Sequence, residues 1–268
     1  MLTWGQPPRL SGGAKFGRMV NLSAYLERIH YAGPTSPTTE VLRNLHRAHM
    51  LSVPFENLDI GLKRKIICEE SSFLRKVVDL RRGGFCYELN GAFAALLREL
   101  GFKVTLLSAR VSREDGSDSP EFDHLTLRVD LDEPWLADVG FGDSFVEPLR
   151  LRAGIEQLQG DRTYRLVEES NLWDMQRAER DGAWKRQYSF TLKPRHLEEF
   201  TEMCLYHQTS PESPFTRKSI CSMATPTGRI TLADDRLIVR RDGIREETVL
   251  ASNEERAVAL RQHFTVVL

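Results

Sequence analysis

The apolar spacing of this chain changes period at Gly101, and that change limits what it can fold into. Before it, apolar residues recur at helical intervals: Leu22, Tyr25, Leu26 and Ile29; then Val41, Leu42 and Leu45; then Leu74, Val77 and Val78. The spacing predicts a second helix from near Ser36-Pro37, stopped by Pro54, and a third that runs out at Gly83-Gly84. The clearest helical stripe follows at once, with Leu89, Phe93, Leu96, Leu97 and Leu100 on one face and Gly101 as its C-terminal stop. From Lys103 the period falls to two. KVTLLSARVS, HLTLRVDL and PWLADVGF read as antiparallel strands, and Asp181-Gly182 marks a hairpin between NLWDMQRAE and AWKRQYSFTL. A helix carrying Leu197, Phe200 and Cys204 comes next. Turns at Pro226-Thr227-Gly228, Asp234-Asp235 and Asp242-Gly243 then separate short strands, before a last helix with Ser252 and Glu255 as a capping box. Helices, then strands, then a mixture define an α+β fold in two or three closely packed parts.

Composition narrows the function classes. With 37 Lys and Arg against 38 Asp and Glu, the net charge of -1 gives no global grip on nucleic acid or anionic lipid, so an anionic ligand has to be met locally. The sequence shows no secretory h-region, and nowhere do about eighteen uncharged apolar residues run together, so a cytoplasmic address is expected and no membrane partner. Four cysteines, none in C-x-x-C spacing, are expected to stay reduced. Residues 1–18 mix Gly, Pro and basic residues without periodicity and read as a loosely held arm, with Met19 as an alternative start.

The residues that carry chemistry are a cysteine, a histidine and an aspartate. Cys86 follows Gly83-Gly84-Phe85 at a helix N-terminus, where two glycines allow a sharp turn and a close substrate, and where the helix favours a thiolate of depressed pKa. Arg81 and Arg82 add positive charge to the same turn. His124 opens a strand whose Leu125, Leu127 and Val129 take one face, leaving His124, Thr126 and Arg128 on the other. Asp138 stands between Ala137 and Val139, an apolar setting in which a carboxylate needs a partner. An imidazole that takes the thiol proton, oriented by that carboxylate, would make an acyl-accepting nucleophile. Each residue also has a plain alternative, since free cysteines are commonly small core residues and strand histidines commonly structural. His46 and His49 have H-x-x-H spacing without a third ligand, so no metal site is expected, and Gly140-Phe-Gly142 does not extend to a dinucleotide fingerprint. Arg217 and Lys218 read as a solvated face, with contact to the phosphates of an anionic ligand as the other reading.

The wording around these residues resembles the arylamine N-acetyltransferase family. RRGGFCYELNGAF resembles its R-G-G-[FYW]-C-x-E-x-N block, LSVPFENLDI its V-P-F-E-N-L block, and FDHLTLRV and WLADVGFGD its histidine and aspartate segments. SPFTRKSICSMATPTGRITL is similar to its C-terminal stretch, and the five blocks run in the family's order from about Met19 onward. The first eighteen residues have no counterpart in the pattern, and Leu89 replaces a residue that is polar in many members. The resemblance implies Cys86 as nucleophile, His124 as base and Asp138 as orienting acid. It implies a papain-like core: a helical bundle over 19–101, an antiparallel β-barrel with interdomain segment over 102–195, and an α/β lid over 196–268. It further implies ping-pong transfer from acetyl-CoA to small aromatic amines or hydrazines, without a metal. Phe55, Tyr87 and Phe141 match acceptor-cleft positions, Gly140 and Gly142 positions where CoA approaches the backbone, and Glu56 and Arg82 a supporting ion pair. The Cys86 backbone N–H is a candidate oxyanion donor. An amide synthase fed by a carrier, a thioester hydrolase and a non-catalytic binder of aromatics or CoA are the competing readings.

Overall fold

Helix α1 (Leu22–Arg28) starts where the Asn21 side chain accepts the Ala24 N–H at 3.1 Å. A computed structural model describes residues 20–179 and 181–268, so the expected arm at 1–18 and the start at Met19 lie outside the described residues. Helix α2 (Thr39–Ser52) begins later than Ser36-Pro37, because the Thr38 hydroxyl caps it by accepting the Val41 N–H. A two-residue strand β1 (Phe55–Glu56) and the short helix α3 (Leu58–Gly61) follow. Helix α4 (Glu70–Leu74) widens into a π turn over Arg75–Asp79 and stops before Gly83, since Arg81 takes a left-handed φ of 50° and the Arg82 N–H turns back to the Lys76 carbonyl. Helix α5 (Cys86–Glu99) ends as its sequence predicts, with Gly101 at φ 86°.

Strands β2 (Lys103–Val111), β3 (His124–Asp130), β4 (Pro134–Ala137), β5 (Leu149–Arg150), β6 (Glu156–Gln159), β7 (Arg162–Glu169), β8 (Leu172–Ala178) and β9 (Trp184–Phe190) form an antiparallel sheet. Its order is β5-β4-β3-β2-β9-β8-β7-β6, a nearly closed barrel. Side chains bridge the two edge strands: the Gln157 amide bonds both backbone groups of Arg150 at 2.8 and 3.2 Å. Gln159 accepts from the Val146 and Glu147 N–H groups at 3.0 Å. The apolar residues of β3 lie against α5, with Leu125, Leu127 and Val129 in one core with Phe93, Leu96 and Leu97. The other face of β3 also proves buried, because it looks into the barrel interior, where Leu107, Tyr164, Met175, Tyr188 and Phe190 pack. The PWLADVGF strand ends at Ala137, so Asp138 leaves the ladder as it reaches His124.

A 3₁₀ turn (Leu197–Phe200) leads into α6 (Thr201–Thr209), then α7 (Pro214–Arg217). Strands β10 (Ile220–Thr225), β11 (Gly228–Ala233), β12 (Arg236–Arg241) and β13 (Ile244–Val249) precede α8 (Asn253–Phe264), which packs Leu260 and Phe264 on Cys221 and Leu232. This second sheet is ordered β1-β10-β11-β12-β13, so its first strand comes from the N-terminal part of the chain. Asn57 strengthens that junction, donating to the Phe215 and Lys218 carbonyls at 3.1 and 2.7 Å and accepting the Ile220 N–H at 2.8 Å. No helix among the described residues is long and apolar enough to cross a membrane.

Candidate active site

Cys86 is the first residue of α5 and is 4% exposed. The glycines before it serve a different purpose from the one their sequence suggests. A Cβ on Gly83 would stand 1.9 Å from the Pro54 carbonyl oxygen, and one on Gly84 would meet the Glu88 side chain at 2.6 Å. Gly83 admits the Pro54 backbone and Gly84 the Glu88 side chain rather than substrate, and the Glu56 N–H donates to the Gly84 carbonyl at 2.8 Å. In the basic turn, Arg82 makes the ion pair with Glu56 that the resemblance implies. Arg82 points away from the thiol to Glu56 at 2.7 Å and Asp59 at 3.2 Å.

Those carboxylates belong to a buried ionic cluster beneath the cysteine turn. Lys76 reaches Asp59 at 2.8 Å, Glu88 at 2.9 Å and Glu56 at 3.7 Å. Glu88, one turn into α5, accepts the Phe85 N–H at 3.1 Å and so caps the helix that carries Cys86. Burial pushes its carboxyl up to about 7 against the pull of Lys76. Arg28, 1% exposed, spends its guanidinium on the carbonyls of Ser52, Val77, Arg81 and Arg82, tying α1 and α2 to the same turn. Neither Lys76 nor Arg28 was singled out by any sequence motif.

His124 and Asp138 meet as the sequence suggests, with Nε2 of the ring 2.6 Å from Oδ2 of the carboxylate. Cys86 is close enough to the ring to act on its charge, and its Sγ–H donates to the Asp123 carbonyl at 3.9 Å. Burial works against a charged ring, but the Asp138 carboxylate and the Cys86 sulfur outweigh it and hold His124 up at about 10. The expectation of a depressed cysteine pKa is not met. Burial pushes the Cys86 thiol up, opposed by His124 and by the Leu125 N–H, so the thiolate is favoured only as the imidazolium's partner and not as a free anion. Asp138 is itself fully buried, and contact with His124, Asn90 and the Gly140 N–H keeps its carboxyl below the usual range despite that burial.

Two residues outside the triad fix this geometry. Asn90 donates to Asp138 Oδ1 at 2.9 Å and to the Leu125 carbonyl at 2.6 Å, and accepts the Val139 N–H at 2.9 Å. His46 accepts the Asp138 N–H on Nε2 at 3.1 Å, with Nδ1 2.9 Å from the Val146 carbonyl. Burial holds His46 down at about 4, so it stays neutral and can accept that bond. The H-x-x-H pair is thus a structural support, and among the described residues no group of His, Cys, Asp and Glu is arranged to hold a metal.

A cavity of about 790 Å³ opens on Cys86 and His124. Phe55, Phe141, Gly140 and Gly142 line it, joined by Tyr206 and Phe215 from the C-terminal part. Phe141 packs edge-on against His124 with centroids 5.2 Å apart. Tyr87 stands elsewhere. Its ring is fully buried and its hydroxyl donates to the Phe122 carbonyl at 2.7 Å, so it supports the His124 loop rather than lining the cleft. Gly140 lies against the nucleophile's own backbone, where a Cβ would come within 2.8 Å of Cys86 Cα, and Gly142 takes a left-handed φ of 83°. Arg217 is exposed but lines the outer cavity, while Lys218 is simply exposed.

A thiol, an imidazole and a buried carboxylate stand together at the base of an aromatic cleft, the set of groups that nucleophilic catalysis by a cysteine requires. The chain matches the N-acetyltransferase family over residues 38–268. It is 38% identical over 216 residues to the arylamine N-acetyltransferase / N-hydroxyarylamine O-acetyltransferase of Salmonella typhimurium, covering 80% of this chain and 76% of that protein. It is 34% identical over 275 residues to human arylamine N-acetyltransferase 1, covering 93% and 95%. In structure it is similar to the Salmonella typhimurium enzyme, with a TM-score of 0.87 at 35% identity over 91% of this chain and 90% of that one. The Mycobacterium marinum arylamine N-acetyltransferase in complex with CoA gives 0.86 at 31% identity, over 92% and 93%. The chain belongs to the arylamine N-acetyltransferase family.

Proposed function

We propose that this protein moves an acetyl group from acetyl-CoA to the nitrogen of an arylamine or arylhydrazine, through an acetyl thioester on Cys86. The observation that carries this reading is the 2.6 Å contact between His124 and Asp138 beside a buried Cys86 that opens onto an aromatic cleft. Cys86 Sγ attacks the thioester carbonyl as its proton passes to His124, and Asp138 stabilises the imidazolium. The tetrahedral intermediate collapses with loss of CoA thiolate, which takes the proton from His124. The amine nitrogen then attacks acetyl-Cys86, gives a proton to His124 and displaces the cysteine thiolate. The Cys86 N–H, at the first position of α5, is available to stabilise the oxyanion. Phe55 and Phe141 offer flat faces to an aromatic acceptor. Gly142 leaves room in the cleft for the acetyl end of CoA, while Gly140 lets its loop pack on the Cys86 backbone and Glu56 and Arg82 hold the turn.

In this reading residues 19–101 carry the nucleophile, 102–195 the base and its orienting acid, and 196–268 cover the cleft as a lid. The four unpaired cysteines fit a reducing cytoplasm. Incubation with acetyl-CoA followed by intact-protein mass spectrometry tests the scheme. An acetyl increment on the Cys86 peptide, discharged by an added arylamine, is expected. Absence of the increment overturns it, and discharge by water as fast as by amine makes the protein a hydrolase.

A further inference from the structure

The catalytic cavity has a second chemical pole, far more basic than the acyl-transfer chemistry needs. Asp143 shares one carboxylate among three guanidinium groups: Arg162 at 2.6 and 3.3 Å, Arg229 at 2.9 Å and Arg240 at 3.5 Å. Arg177 donates to the Asp143 carbonyl oxygen at 3.4 Å and pairs separately with Glu179 at 3.3 Å. Three cations on one carboxylate leave two positive charges uncompensated within the cluster.

Stability does not account for this arrangement. The Arg229 side chain is only 7% exposed, and a buried cation is costly unless paired in full. Apart from Asp143, Arg229 has among the described residues only the Ser222 hydroxyl, at 3.1 Å. A single ion pair would satisfy one buried arginine, whereas here three compete for the same carboxylate. Arg229, Arg240 and Asp143 all line the cavity that contains Cys86. Planar guanidinium groups of this kind match the oxygens of carboxylates, sulfonates and phosphates.

We infer that Arg229 and Arg240, both held on Asp143, form an oxyanion subsite that receives the acid group of an acidic arylamine acceptor. The identity of the ligand rests on the acetyl-transfer reading above. The cationic pole does not. CoA phosphates carry the same chemistry, but location favours the acceptor. Asp143 is two residues from Phe141, a span of at most about 7 Å, and the Phe141 ring packs on His124. An acid group on an aromatic ring lies one ring width from its amine, whereas the pantetheine arm of CoA separates its phosphates from the reacting sulfur by a long flexible chain.

The test compares wild type, Arg240→Ala and Arg229→Lys, with para-aminobenzoate and para-toluidine as acceptors and acetyl-CoA and acetyl-pantetheine as donors. The Arg240 side chain is 49% exposed, so its truncation leaves the fold intact. The expected result in Arg240→Ala is a roughly tenfold rise in the KM of para-aminobenzoate relative to that of para-toluidine, as for loss of a charge-assisted hydrogen bond. A rise confined to acetyl-CoA relative to acetyl-pantetheine would assign the cluster to CoA phosphate and overturn the acceptor assignment. Ratios unchanged in both series would overturn the subsite. Calorimetric titration of Cys86→Ser protein, with and without Arg240→Ala, using para-aminobenzoate and CoA separately reads the subsite without turnover. Failure of acetyl transfer therefore remains distinguishable from failure of the subsite.

Discussion

The Asn90 side-chain amide, one helical turn beyond Cys86, donates at 2.9 Å to the carboxylate of Asp138. The helix that carries Cys86 therefore also holds the carboxylate that faces His124. Asn90→Ala leaves Asp138 Oδ1, the Leu125 carbonyl and the Val139 N–H each short of a buried partner. Each orphaned group costs about 1–3 kcal/mol. A lower urea midpoint is expected, with kcat falling while KM for acetyl-CoA changes little. A variant as active and as stable as wild type would show that Asp138 is held by other contacts.

Alkaline pH should weaken the fold through His124. Its folded pKa is raised from 6.5 to about 10, so the stabilisation is fully present below 6.5 and is lost as pH rises through about 10. Urea midpoints measured across that window should fall in wild type and fall less in Asp138→Asn, which removes the main cause of the shift.

Alkylation distinguishes the four thiols. Burial raises Cys86 and Cys221, and contact with Cys68 together with burial raises Cys204, but only Cys86 of the three opens on the cavity with an imidazole beside it. Iodoacetamide at neutral pH should label Cys86 ahead of the other two buried cysteines, and His124→Asn should slow that labelling without unfolding the protein. Preferred labelling of Cys204 or Cys221 would contradict the thiolate–imidazolium pair.

Two nearby glycines should respond differently to alanine. At Gly140 the new Cβ would press on Cys86 Cα at 2.8 Å and on Asn90 Nδ2 at 2.7 Å, so both activity and thermal midpoint should drop sharply. At Gly142 the nearest atoms are those of the Phe55 ring at 3.8 Å, and the cost is the left-handed backbone alone, about 1–2 kcal/mol. Equal losses at both positions would contradict this division.

The ionic cluster under the cysteine turn should be fragile to loss of a single cation. Lys76→Met leaves Glu56 with Arg82, Asp59 with Arg82 and Arg64, and Glu88 with no cation among the described residues, and breaking a buried pair in this way costs about 3–5 kcal/mol. Glu88→Gln added to Lys76→Met should recover part of the loss in urea midpoint, since it removes the carboxylate on which Lys76 makes two contacts.

Local pattern made some of this structure readable in advance. The stripe from Leu89 to Leu100 predicts α5, alternation predicts β3, and a carboxylate set between Ala137 and Val139 marks Asp138 as a residue in need of a partner. Residues whose value lies in distant contacts left no such trace. Arg28 binds carbonyls about fifty positions away, Asn90 reads a strand and a loop from a helix, and His46 touches Asp138 from α2. The resemblance places Tyr87 in the cleft with Phe55 and Phe141, yet on α5 it points away from the direction of its neighbour Cys86, as adjacent helical residues do. Gly83 looked like room for a substrate, but only the fold reveals the Pro54 carbonyl that fills the space.

The pairing of Phe55 with Ser222 and of Glu56 with Cys221 has a consequence for synthesis. A ribosome delivers the cysteine turn long before the strand that flanks it, so the nascent protein has to wait, with that edge unpaired, until the last third emerges. Chains truncated before Ile220 should accordingly be recognised by chaperones and proteases as unfinished, even though every residue of the triad has already been translated.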